Sequence, residues 1–124
     1  MAQKLNLVIN QGETFELDII AKDLNKQPID ITNYSYAGKI RSAYDSDVIA
    51  AFTFTKAEQR NSTLGWVKAS LTPAQTQAIP CVKSSAKNKR PLTEYIYDIE
   101  ETDPSNNVTR ILEGIISVSP SVTW

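Results

Sequence analysis

Period-two alternation constrains this chain more than any other feature. In "TFELDIIAK", Phe15, Leu17, Ile19 and Ala21 fall on one side while Glu16, Asp18 and Lys22 fall on the other. Successive strand side chains point to opposite faces, so this pattern suits an extended strand with one dry and one wet face. Ile20 is the exception. The parity returns in Leu5, Leu7 and Ile9, in Tyr36, Gly38 and Ile40, in Val48, Phe52 and Phe54, and in Val67, Ala69 and Leu71. It closes the chain in Tyr95, Tyr97 and Ile99, then Leu112, Ile116 and Val118.

Turn formers separate these runs: "NQG", "AYDSD", "KAEQRNST" and "TDPSNN". "NQG" between the first two strands predicts that they pair with each other. "DLNKQPIDITNY" is expected to be a connection outside the central sheet, because Pro28 fixes its own backbone and biases Gln27 toward extended geometry. One segment reads as a helix. In "LTPAQTQAIP", Thr72 can cap, Pro73 suits the first helical position, Gln75 completes a capping box and Pro80 ends the segment. A short helix around residues 72–79 follows.

About seven short strands, one short helix and no alternation with long helices predict an all-β fold, a mainly antiparallel β-sandwich. With 124 residues and 41% hydrophobic composition, residues 1–124 are expected to form a single domain. Neither an internal repeat nor a low-complexity segment is present.

Composition narrows the chemistry. Without histidine, the Ser-His-Asp and Cys-His arrangements, the histidine zinc sites and the commonest general base all go. A single cysteine, Cys81, removes thiolate metal clusters and reads as a small buried hydrophobe. The four glycines are isolated, so no phosphate-cradling loop forms. The expectation is therefore no catalysis, no cofactor and no metal. A formal charge of -1 gives no general attraction to nucleic acid, which is not expected as a partner. No apolar run reaches the roughly 18 residues that a membrane span needs, and no signal peptide is evident, so synthesis in a cytosol is expected. The Asn-x-Ser/Thr triplets at Asn33, Asn61 and Asn107 are then incidental.

Two charged clusters remain. Asp98, Glu100, Glu101 and Asp103 lie close together, and strand carboxylates at i and i+2 share a face about 6.5–7 Å apart, a spacing that sugar chemistry can use. Any solvated strand face gives the same spacing. An ion-paired face is expected, with Lys39, Arg41 and Arg110 as cross-strand partners; catalysis and a weak cation site are the alternatives. "CVKSSAKNKR" carries Lys83, Lys87, Lys89 and Arg90 with no acid. Lacking interleaved aromatics, this basic loop (80–91) reads as a solvated segment or a contact for an acidic protein surface rather than a base-stacking platform. Trp66 is assigned to core or sheet surface. Trp124, at the chain end, needs cover that a neighbouring subunit would supply. Lys83, Lys87, Lys89, Arg90 and Trp124 are the candidate interface.

Taken in order, "INQGETFELDIIAKDLNKQPIDITNYSYAGKIR", "LTPAQTQAIP" and "YIYDIEETDPSNNVTRILEGIISVSPSVT" resemble a family of small virion proteins of tailed bacteriophages, similar to the N-terminal immunoglobulin-like domains of baseplate and tail-fibre-attachment proteins. The resemblance implies an immunoglobulin-like β-sandwich with a structural role in the virion. It would be an adaptor or accessory subunit in the tail, baseplate or fibre attachment, assembled in the host cytoplasm. Its partners would be other virion proteins, in several copies, with a homo-oligomer among the options and no membrane. "CVKSSAKNKR" departs from the pattern as an insertion. Two other roles fit such a sandwich: capsid decoration, and carbohydrate or host-receptor binding through Tyr34, Tyr36, Tyr44 or Trp66.

Overall fold

The structure, a computed structural model, describes residues 3–81 and 93–121. In chain order the elements are β1 (Gln3–Lys4), β2 (Leu7–Asn10), β3 (Phe15–Ile20), β4 (Ser35–Arg41), β5 (Val48–Ala51), β6 (Thr53–Lys56), β7 (Trp66–Leu71), α1 (Pro73–Gln77), β8 (Thr93–Thr102) and β9 (Val108–Ser119). One sheet has the order β1-β9-β8-β4-β5, with β2 also on β9; the other has the order β3-β7-β6. Strands β2, β9, β8, β4 and β5 opposing β3, β7 and β6 form an immunoglobulin-like β-sandwich, with the variable-type extra strand beside β4.

The alternation maps onto the core as expected. Ile40, Tyr97, Ile99, Ile116 and Val118 from the larger sheet meet Ala69 and Leu71 from the smaller one, all buried, while Val67 is buried in a second, smaller cluster with Ala21 and Ile31. Each aliphatic chain taken fully out of water contributes about 1.5–3 kcal/mol. The Phe52 ring sits between the sheets, 6.0 Å from Phe15 and 6.2 Å edge-on to Tyr97.

Three expectations are corrected. β2 and β3 do not pair: β2 runs parallel to β9, whereas β3 runs antiparallel to β7 in the other sheet. The "NQG" segment therefore carries the chain between sheets instead of turning a hairpin. Secondly, "VIAAFTFT" is not one strand. It breaks at Phe52 into β5, on β4, and β6, on β7, so the chain changes sheets there and Val48 is left exposed. Thirdly, "KLNLVIN" breaks at Leu5–Asn6. Splitting these two runs turns the expected seven strands into nine among the described residues.

α1 braces the first crossover. Thr72 accepts from the Gln75 N–H at 3.1 Å, and the Gln75 side chain accepts from the Thr72 N–H at 2.8 Å, the reciprocal pair of a capping box. Thr76 is fully buried; its hydroxyl accepts from the Gly12 N–H at 3.0 Å and lies 2.8 Å from the Glu13 carbonyl. Beside it the buried Gln11 amide donates to the Ile79 carbonyl at 2.9 Å and accepts from the Ser121 N–H at 3.0 Å. A helix of five residues is too short to hold itself in water, so these contacts account for its presence.

The connection after β3 lies outside the sheets, as its turn formers imply, yet it covers one end of the core. Ile31 within it is fully buried. Lys56 fastens it, donating to the carbonyls of Ile31 (3.3 Å), Thr32 (3.0 Å) and Tyr34 (2.7 Å).

Candidate functional site

The outer face of the larger sheet carries a depression of about 630 Å³. Alternation builds it. The parity that sends Tyr97 and Ile99 inward turns Ile96, Asp98 and Glu100 outward, and pairing with β4 and β9 sets their neighbours. Lys39 stands opposite Asp98, Asp98 opposite Glu113, and Glu113 opposite Lys4, giving a row of charges +, −, −, + across four strands. Ile96 and Ile115 are cross-strand partners and make its apolar part.

Two carboxylates directly opposite one another repel. Arg110 relieves this by bonding to both: its Nε lies 3.4 Å from Asp98 Oδ2 and its Nη1 lies 3.2 Å from Glu113 Oε1. It reaches them because the β8–β9 register shifts between Ile99 and Glu100, which sets Arg110 opposite Glu100 and close to the charged row. Lys4, Lys39 and Glu100 have no ion-pair partner within 4 Å among the described residues. Arg41 donates to the Ser46 carbonyl and holds the turn that puts the exposed Tyr44 at the rim.

The expected partnership of Arg110 with the acidic strand is thus formed, and Lys39 and Arg41 line the same depression. Sequence reasoning missed Glu113 and Lys4. Glu113 follows the buried Leu112, so its outward direction was readable, but its position against Asp98 depends on register. Asp98 and Glu100 do share the depression, yet Asp98 is tied to a permanent cation, an arrangement suited to holding a face together rather than moving protons. Among the described residues no three His, Cys, Asp or Glu side chains gather as a metal site.

Glu101 and Asp103 have other duties. Glu101 accepts from the Tyr36 hydroxyl at 2.8 Å, and burial together with this bond pushes the Tyr36 phenol well above its ordinary range. Asp103 Oδ1 accepts from the N–H groups of Asn107 and Ser105, both at 2.9 Å, which holds its carboxyl below the usual carboxylate range and shapes the β8–β9 turn. Lys83, Lys87, Lys89, Arg90 and Trp124 lie outside the described residues.

The four candidate glycan-binding aromatics do not form one patch: Tyr34 and Tyr36 pack against the same small cluster, whereas Tyr44 and Trp66 lie at different sheets. Tyr36 is half-buried and packs on Phe54 at 5.9 Å; Tyr34 packs around Ile31; Tyr44 borders the depression; Trp66 lies on the outer face of the other sheet. Cys81 is half-buried against the core.

No family model and no curated protein matches the chain. Among solved structures, murine CRIg is similar at a TM-score of 0.38 and 11% identity, over 94% of this chain and 92% of that one; at that score the likeness carries no argument.

Proposed function

We propose that the chain is a non-catalytic assembly module of a tailed-phage virion, an adaptor or accessory subunit that joins tail, baseplate or fibre-attachment components in several copies. The observation that carries this reading is the ordered series of segments from "INQGETFEL" through the capping-box helix to "LEGIISVSP", which resembles the phage family over most of the chain. The site chemistry is compatible with it. An ion-paired face with spare charges at Lys4, Lys39 and Glu100 suits contact with a charged surface of another protein.

Quantitative mass spectrometry of particles purified from the source phage tests the role. Peptides of this chain are expected at a fixed ratio to tail or baseplate proteins. Their absence from particles, or presence only at trace level, would refute it, and a ratio tracking the major capsid protein would move the assignment to capsid decoration.

A further inference from the structure

Among the described residues the sandwich leaves four sheet edges, and they differ. β5 has four residues with a register shift in its pairing to β4; the β1–β2 edge breaks at Leu5–Asn6; β6 has four residues and ends in Lys56, folded over neighbouring carbonyls. β3 has six residues, contains neither Gly nor Pro, and pairs with β7 in unbroken register. The Ala21 N–H bond to the Gly65 carbonyl sets the phase of that ladder. By antiparallel alternation, residues 15, 17 and 19 turn their backbone groups to β7, and Glu16, Asp18 and Ile20 turn theirs off the edge.

The core is also open along β3. Phe15, Leu17 and Ile19 are only half-buried, whereas their cross-strand partners Leu71, Ala69 and Val67 are 1%, 0% and 2% exposed. One more strand would close this gap. On the wet face Lys68 pairs with Glu16 at 3.5 Å, and Asp18, opposite Lys68 in register, has no ion-pair partner within 4 Å among the described residues. Next to them the exposed Ile20 and Trp66 face each other.

From this geometry we infer that β3 is a docking edge for an extended segment of a neighbouring protein in which basic and apolar residues alternate. Backbone pairing supplies the attachment, as in other strand additions. Basic residues opposite Glu16 and Asp18 complete the charge left over by Lys68, and apolar residues between them cover Leu17 and Ile19. A second copy of β3 does not fit. The two longest antiparallel self-registers that keep the faces aligned set Glu16 opposite Asp18, or Asp18 opposite its own copy, and like charges directly opposed are destabilising. The inference rests on the assembly reading only for the identity of the neighbour as a virion protein.

Amide NMR of the full chain, titrated with a capped octapeptide alternating Lys and Val and with its Glu/Val counterpart, tests the edge. Saturable shifts and slowed exchange are expected at Glu16, Asp18 and Ile20, with the Lys/Val peptide binding at least about tenfold more tightly. The charge-reversed variant E16K/D18K/K68E, which keeps the internal pairing, is expected to invert that preference. Equal binding of both peptides, no saturable binding, a footprint on the Asp98–Glu113 face, or β3 shifts that follow protein concentration without peptide would each overturn the inference. These results leave the particle composition untouched, so the two readings fail separately.

Discussion

Asp98 and Glu113 stand directly opposite each other on β8 and β9, and the arrangement holds because Arg110 bonds to both carboxylates. Replacing Arg110 with Met keeps much of the aliphatic stem and leaves the two acids facing each other. All three side chains are partly exposed, so the expected loss is small, about 0.5–1 kcal/mol. In chemical denaturation the deficit should shrink as salt rises toward 1 M, where charges are screened within about 3 Å. Adding Glu113→Gln to Arg110→Met should recover most of it; a double variant no more stable than Arg110→Met would show that repulsion is not the cause.

Gly114 makes room for the N-terminal segment. A Cβ at this position would stand 2.1 Å from the Leu5 carbonyl oxygen, the same atom that accepts the Tyr97 hydroxyl at 2.7 Å. Gly114→Ala is therefore expected to push β1 and β2 off β9 and cost about 1–3 kcal/mol, the range for overpacking a tight contact. Hydrogen exchange should quicken at Leu5 and in β2 more than in β8. Unchanged protection there would contradict the contact.

These residues also show where sequence reading reaches its limit. The facing of Tyr97, Ile99, Leu112 and Val118 was legible because one side of each strand is wet and the other dry, and a two-residue period reports that directly. The partner of each strand was not. β2 and β3 both alternate, and nothing in alternation tells a strand which sheet to join. Phe52 hid the change of sheet because apolar residues continue through it. The acidic strand and Arg110 were legible as ion-pair partners by type, but counting along the chain could not place Glu113 against Asp98 across a register shift. The capping box around Thr72 was fully legible, since all its partners lie within one turn.

Two turns share one design. Asp23 Oδ1 accepts from the N–H groups of Asn25 and Gln27, Asp103 Oδ1 accepts from those of Ser105 and Asn107, and the residue before each last donor has positive φ: Lys26 at 62° and Asn106 at 66°. Asn tolerates this left-handed backbone better than Lys does. Lys26→Gly should therefore stabilise the fold by about 0.5–1 kcal/mol, while Asn106→Gly should gain less. Thermal unfolding of the two variants side by side checks the difference, and an Asn106→Gly gain equal to or larger than that of Lys26→Gly would refute it.

Alkali should loosen the sandwich through its buried phenols. Burial pushes Tyr97 from 10.0 up to about 12, and Tyr36 is raised by burial and by its bond to Glu101. A pKa higher in the folded than in the unfolded state means that the unfolded chain gives up its protons first. The stabilisation is complete below pH 10.0, the ordinary tyrosine value, and for Tyr97 is lost as pH climbs through about 12. Denaturation midpoints measured across this window should fall steeply for the natural sequence. Tyr97→Phe loses the bond to the Leu5 carbonyl, which costs about 1 kcal/mol at neutral pH, and in exchange has a shallower decline in alkali. Tyr36→Phe should flatten the decline as well, and Tyr36→Phe/Tyr97→Phe should flatten it furthest. Midpoints that fall as steeply in the double variant as in the natural sequence would assign the alkaline loss to other groups.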